Sequence, residues 1–205
     1  MTPEEQAFTT AVAATVAEIE RATDAEIIVV HAGTSGGYPD VPLLAGIGAG
    51  LVGLIVLLFL PFDFAPWSVP AVVAGLGIAG GAAGGRFEEL TRRLTSVARR
   101  RAQVTQAAAA AFHREAVAGT RNRTGVLLYA SRLERLLVII PDSGVTRAIA
   151  PGELYGVMGG EVTPLPPSTE GFVAAVRTLG VLLAARLPAT HDNPNELPDE
   201  PRFLP

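Results

Sequence analysis

The chain has 205 residues, a net charge of −4 and a mean hydropathy of +0.36. It holds no cysteine, which excludes disulfides and thiolate chemistry and leaves any zinc site to histidines and carboxylates alone. All its basic residues are arginine, and an acidic balance without an interleaved aromatic platform argues against a nucleic-acid partner.

The start, Met1-Thr2-Pro3-Glu4-Glu5, is acidic and lacks the positive charge and apolar core of a signal peptide. Thr2 can cap a helix beginning at Pro3, with Glu4 and Glu5 facing its positive end. Phe8, Val12, Val16 and Ile19 recur at spacings of three and four and give that helix one apolar stripe. Thr23-Asp24 ends it. The β-branched run from Ala25 to His31 reads as a strand covered on both faces. Gly33, Gly36, Gly37 and Pro39 form its flexible exit.

The block from Val41 to Gly85 dominates the chain. No charged side chain lies between Leu43 and Leu60, nor between Val69 and Gly85. As helices these arms reach roughly 26 to 27 Å each, close to a hydrocarbon core of about 30 Å. Pro61, Pro66 and Pro70 break the helix between them, and Phe62, Phe64 and Trp67 suit the headgroup level. The pattern predicts a two-helix transmembrane hairpin; a pair of helices buried in a soluble core is the alternative. Gly48-Ala49-Gly50-Leu51-Val52-Gly53 matches a dinucleotide fingerprint but lacks its strand, polar helix and acidic residue. Small residues four apart, such as Gly46 and Gly50 or Gly80 and Gly84, instead let membrane helices approach closely. Packing within the hairpin is their first use and homo-oligomerisation the second.

Arg86, Arg92, Arg93, Arg99, Arg100 and Arg101 follow, opposed only by Glu88 and Glu89. They hold this flank on the cytoplasmic side and offer a membrane-surface patch for anionic headgroups. An Ala-rich helix is predicted over 98–118, with Phe112 and Val117 as core contacts. Strands are predicted over Thr124–Ala130 and Glu134–Ile140, joined as a hairpin and closed by the turn Pro141-Asp142-Ser143-Gly144. The stretch from Gly152 to Gly160 reads as weakly helical at best, and Pro164, Pro166 and Pro167 as a rigid connector. Phe172, Val176, Leu179 and Leu183 mark a last helix, and the tail from His191 reads as extended.

Neither flank can close a sheet alone, so the strand before the hairpin must pair with strands after it. The expected division is therefore 1–40 and 86–190 as two parts of one α/β domain, 41–85 as an inserted hairpin and 191–205 as a tail. Both flanks then lie on one side, with two spans in the cytoplasmic membrane and both termini cytoplasmic. No catalytic residue stands out. His31, His113 and His191 have no ligand spacing, and Ser35, Ser131 and Ser143 lack a nucleophile elbow. Glu26 and Asp142, at sheet ends, could hold a hard cation such as calcium or magnesium; solvated turn carboxylates are the plain alternative.

The run from Ala17 to Val30 resembles the opening of TPM-domain proteins. Thr120 to Ser131 with Leu133-Glu134-Arg135 resembles the family's central strand segment, and Val138 to Val145 its third strand and turn. Asn195-Glu196-Leu197-Pro198-Asp199 is similar to the end of a bacterial branch with a membrane hairpin inside the domain. The stretch from Thr146 to Pro167 departs from the family, which usually continues there into a helix with an aromatic anchor. The resemblance implies a small sheet sandwiched by helices. Relatives include acid phosphatases, calcium binders and factors for assembly or repair of membrane complexes. The expected function is a non-catalytic binding or quality-control factor working through the bilayer and a membrane-protein partner. The alternative is a divalent-metal-dependent phosphatase acting on phosphate monoesters, with Asp142 and Glu26 near the metal.

Overall fold

Thr2 sets the first boundary. Its side chain accepts from the Glu5 amide at 3.2 Å while Glu5 Oε2 accepts from the Thr2 amide at 2.7 Å, a reciprocal cap on α1 (Pro3–Glu20). The computed structural model describes residues 2–62, 65–191 and 194–204. Asp63 and Phe64 of the inter-arm turn, and Asp192 and Asn193 of the tail, lie outside the described residues.

The chain forms two compact units, residues 36–100 and the remainder on either side of them. The inserted unit is thus wider at both ends than the 41–85 stretch read from hydropathy.

The flanking unit is an α/β sandwich around one mixed sheet in the order β4 (Val162–Pro164), β3 (Leu136–Pro141), β2 (Gly125–Ser131), β1 (Glu26–Ala32), β5 (Arg202–Leu204). β1 (Glu26–Ala32) and β2 (Gly125–Ser131) pair in parallel, from Glu26 opposite Gly125 to Ala32 opposite Ser131. The two central strands therefore come from opposite sides of the insertion. β3 (Leu136–Pro141) returns antiparallel to β2, with Arg135 in the left-handed region at φ 54° making the corner. β2 is buried along its whole length, which is why its sequence runs nearly continuously apolar instead of alternating.

Each face of the sheet carries its own core. Val12, Val16 and Ile19 of α1 pack with Phe172, Val176 and Leu183 of α8 (Thr169–Arg186) over Ile27, Val29, Leu128 and Ile139. On the other face, Val104, Ala108 and Ala111 of α5 (Val97–Arg114) cover Ile28, Val30, Leu127 and Val138. Helices α1 and α8 touch at Gly180, where a Cβ would come within 2.5 Å of Ile19 Cγ1.

Four stretches differ from the sequence reading. Asp142 does not sit in a tight turn; it caps a short helix, α6 (Ser143–Ala148), accepting from the Ser143 amide at 2.6 Å. The stretch read as weakly helical forms α7 (Pro151–Met158), because Pro151 presets its first turn, Leu154 is fully buried and Gly159 (φ 81°) ends it. Val162–Pro164 adds an edge strand, β4, to β3. The tail is not merely extended: Arg202–Leu204 forms β5, parallel to Val30–Ala32.

In the inserted unit, α2 (Asp40–Phe59) is long and apolar enough to cross a membrane; α3 (Ser68–Gly84) is shorter and is followed by α4 (Glu88–Leu94) after a bend of 97°. α2 and α3 pack antiparallel through their small residues. A Cβ on Gly80 would meet Ala49 Cβ at 2.4 Å, and one on Gly46 would meet the Gly77 carbonyl at 2.7 Å.

Candidate functional site

The strand register brings Glu26 and Asp142 to the same end of the sheet, one on each side of Gly125. Glu26 stands opposite Gly125, and the Asp142 amide donates to the Gly125 carbonyl at 2.8 Å. The space above Gly125 is filled, since a Cβ there would lie 2.5 Å from the Val117 carbonyl oxygen. The two carboxylates are neighbours on the sheet but keep separate partners.

Glu26 is 3% exposed, and its Oε2 accepts from the amides of Glu196 at 3.1 Å and Leu197 at 3.0 Å. Burial pushes its carboxyl up, against the pull of those two amides. With Asp24, Arg121, Asn122, Thr124 and Glu196 it lines a cavity of about 20 Å³, room for one water or small ion. Asp142 is 8% exposed. Its Oδ2 has no hydrogen bond among the described residues, and the Arg123 guanidinium stands 4.0 Å away. Hard cations such as calcium take six to eight oxygens. Among the described residues no three His, Asp or Glu side chains converge.

Sequence reasoning missed Glu20, which lies beside this site. Its Oε1 accepts from the Ile27 amide at 2.8 Å, and burial raises its carboxyl to about 8, with Glu26 and Asp199 adding to the rise. Glu20 therefore holds its proton at neutral pH. The tail stretch 195–199 surrounds the pair: it gives two amides to Glu26 and sets Asp199 against Glu20, with Asn195 Nδ2 donating to Asp199 Oδ1 at 2.6 Å.

A second polar network sits at the other end of the parallel strands. Glu134, 1% exposed, accepts from the Ser35 amide at 3.1 and 3.3 Å and from Ser131 Oγ. Ser35 Oγ donates to Ser131 Oγ at 2.7 Å and lies 3.2 Å from Tyr129 Oη. The network fixes the exit of β1 to the turn after β2. Its signal in sequence was only a carboxylate in the short polar connection Ser131-Arg132-Leu133-Glu134-Arg135 between two apolar runs.

The arginines of the inserted unit are largely engaged. Arg99 holds Asp40 through both terminal nitrogens, at 2.6 and 2.9 Å, and lies over the Tyr38 ring. Arg92 and Arg93 pair with Glu89 at 2.6 and 3.3 Å. Arg86 is exposed and Arg100 half-buried; Arg101, with which the flanking unit resumes, is exposed.

No family model matches the chain, and no curated protein matches it. Among solved structures, it is similar to the BA42 protein from the psychrophilic bacterium Bizionia argentinensis sp. nov., determined by NMR. The two share 17% identity over 99% of this chain and 94% of that one, with a TM-score of 0.55. That likeness extends to the fold alone.

Proposed function

We propose that this protein is a membrane-anchored α/β domain of TPM-like type, whose α2 and α3 span a bilayer as a hairpin and whose work is binding, not catalysis. The observation that carries the reading is how α2 distributes its surface. Its buried positions are Val41, Gly46, Gly50 and Gly53, while Leu43, Ile47, Leu51, Val52, Ile55 and Leu58 are exposed. A soluble core helix turns its large apolar residues inward; a helix in lipid packs by its small residues and leaves the large ones outside. Patches of this size rarely face water.

The arginines after α3 put the flanking unit on the cytoplasmic side and the turn near Trp67 outside. Bacterial inner membrane, two spans and cytoplasmic termini follow. The partner is then another membrane protein, in assembly or quality control of a complex. The test uses the absence of cysteine in the chain. Single cysteines replacing Thr10, Ser68 and Thr178 should be labelled from outside only at Ser68, in a protein that resists carbonate extraction. Labelling of Thr10 and Thr178 on opposite sides would sink the hairpin, and failure of cross-linking in whole membranes to recover one stoichiometric partner would sink the binding role.

A second reading, the divalent-cation-dependent phosphatase, keeps one supporting observation: the buried Asp142 Oδ2 without a hydrogen bond among the described residues. It predicts magnesium- or calcium-dependent phosphate release from a chromogenic ester that is lost in Asp142→Ala. Equal rates in both proteins would remove it.

A further inference from the structure

The bend after α3 carries more than a change of direction. α4 stands at 97° to α3 after a short break. Leu90 and Leu94, four apart, share one stripe of this short helix, and Phe87 stands just ahead of it at the N-cap. Leu90 folds back toward α3, since a Cβ on Gly84 would meet its Cδ2 at 3.7 Å. Phe87 and Leu94 are 62% and 46% exposed. The opposite side carries Glu88, Glu89 and Arg93, with the Arg92 side chain only 12% exposed beside them; Arg92 and Arg93 pair with Glu89 at 2.6 and 3.3 Å.

We infer that α4 lies flat in the interface of a phospholipid bilayer, with Phe87 and Leu94 entering the acyl boundary and Glu88, Glu89 and Arg93 toward water. The inference rests on the membrane-hairpin reading and adds a surface to it. If α3 runs along the bilayer normal, a helix at 97° to it runs in the bilayer plane, at the depth where α3 ends. An amphipathic helix in that plane buries its apolar face roughly 5 to 10 Å into the boundary between headgroups and chains. The exposed stripe then continues the lipid-facing surface of the helices it follows. Pairing within the charged side lowers the cost of holding it near lipid, and the exposed Arg86 meets anionic headgroups at the bend.

The chain has one tryptophan, Trp67. In a Trp67→Phe background, Phe87→Trp, Leu94→Trp and Arg93→Trp are made in the full chain and reconstituted in vesicles of phosphatidylcholine and phosphatidylglycerol. Phosphatidylcholine brominated near the top of its acyl chains should quench the probes at 87 and 94 severalfold more than the probe at 93. The probe at 93 should stay open to acrylamide. Equal acrylamide access at all three positions, in protein that still resists carbonate extraction, would overturn the inference and leave the hairpin standing. So would probes at 87 and 94 that are shielded from acrylamide but untouched by bromine, since another protein surface would then cover the stripe. Extraction by carbonate, with Trp67 of the unmodified protein also unquenched, would overturn the hairpin and this helix together.

Discussion

The Ile27 amide donates to Glu20 Oε1 at 2.8 Å, tying the last turn of α1 to the second residue of β1. Because burial raises the Glu20 carboxyl from 4.5 to about 8, the folded protein favours its protonated form. A group raised in this way contributes stability fully below the unfolded value. That contribution falls between about pH 4.5 and 8 and is gone above. Glu20→Gln keeps the acceptor for Ile27 and removes the proton. Its unfolding midpoint, followed by circular dichroism, should depend less on pH in this window than that of the unaltered protein, which should lose stability relative to the variant as pH rises. Parallel pH profiles would show that Glu20 titrates normally.

The Ser35 amide donates to the Glu134 carboxylate at 3.1 and 3.3 Å, outside any helix or strand ladder. Glu134→Ala leaves that amide and Ser131 Oγ to find other partners in a buried place. The loss should be about 2 to 3 kcal/mol in chemical denaturation. Amide exchange at Ser35 should rise with it. A loss below half a kcal/mol would mean that solvent replaces the carboxylate at no cost.

Gly180→Ala places a methyl group 2.5 Å from Ile19 Cγ1, so α1 and α8 must separate or Ile19 must move. Overpacking of this kind costs about 1 to 3 kcal/mol. Ile19→Ala, which deletes the clashing atoms, should recover part of the loss when combined with it, giving a favourable coupling in a double-mutant cycle. Additive effects would place the clash elsewhere.

Two glycines of α2 and α3 form a matched pair for a test in detergent. Gly80→Leu drives a side chain into Ala49, whereas a Cβ at position 48 has nothing within 4 Å, so Gly48→Leu starts from open space. Thermal denaturation should show Gly80→Leu destabilised and Gly48→Leu close to the unaltered protein. Equal losses would mean that the helices do not rely on close approach at Gly80.

The sequence made the central elements readable where one physical signal was strong. The run from Glu26 to His31 and that from Gly125 to Ala130 announce buried strands because both sheet faces are covered, and the pairing of strands across the insertion follows from the need to close a sheet. β4 and β5 have three residues each, too few to show a period, and both depend on neighbours that already exist. α7 was obscured by its glycines, although its first and last residues carry ordinary boundary chemistry. In the candidate site, Glu26 and Asp142 were visible as carboxylates at strand ends. Glu20 was not, because a charged residue in the last turn of a surface-facing helix looks solvated until the tail is laid over it.

The parallel register of β1 on β2 has a temporal side. Ile28 sits opposite Leu127, so the nascent first strand finds no neighbour until synthesis has passed the whole intervening segment. A ribosome adds roughly 5 to 20 residues per second, which leaves the amino-terminal portion waiting for several seconds with a greasy ribbon uncovered. Long-range pairing of this kind is slow to form and prone to mispairing in the interval. Cells short of holdase chaperones should therefore accumulate this chain as aggregate sooner than they would a variant whose two central strands were made consecutive by circular permutation.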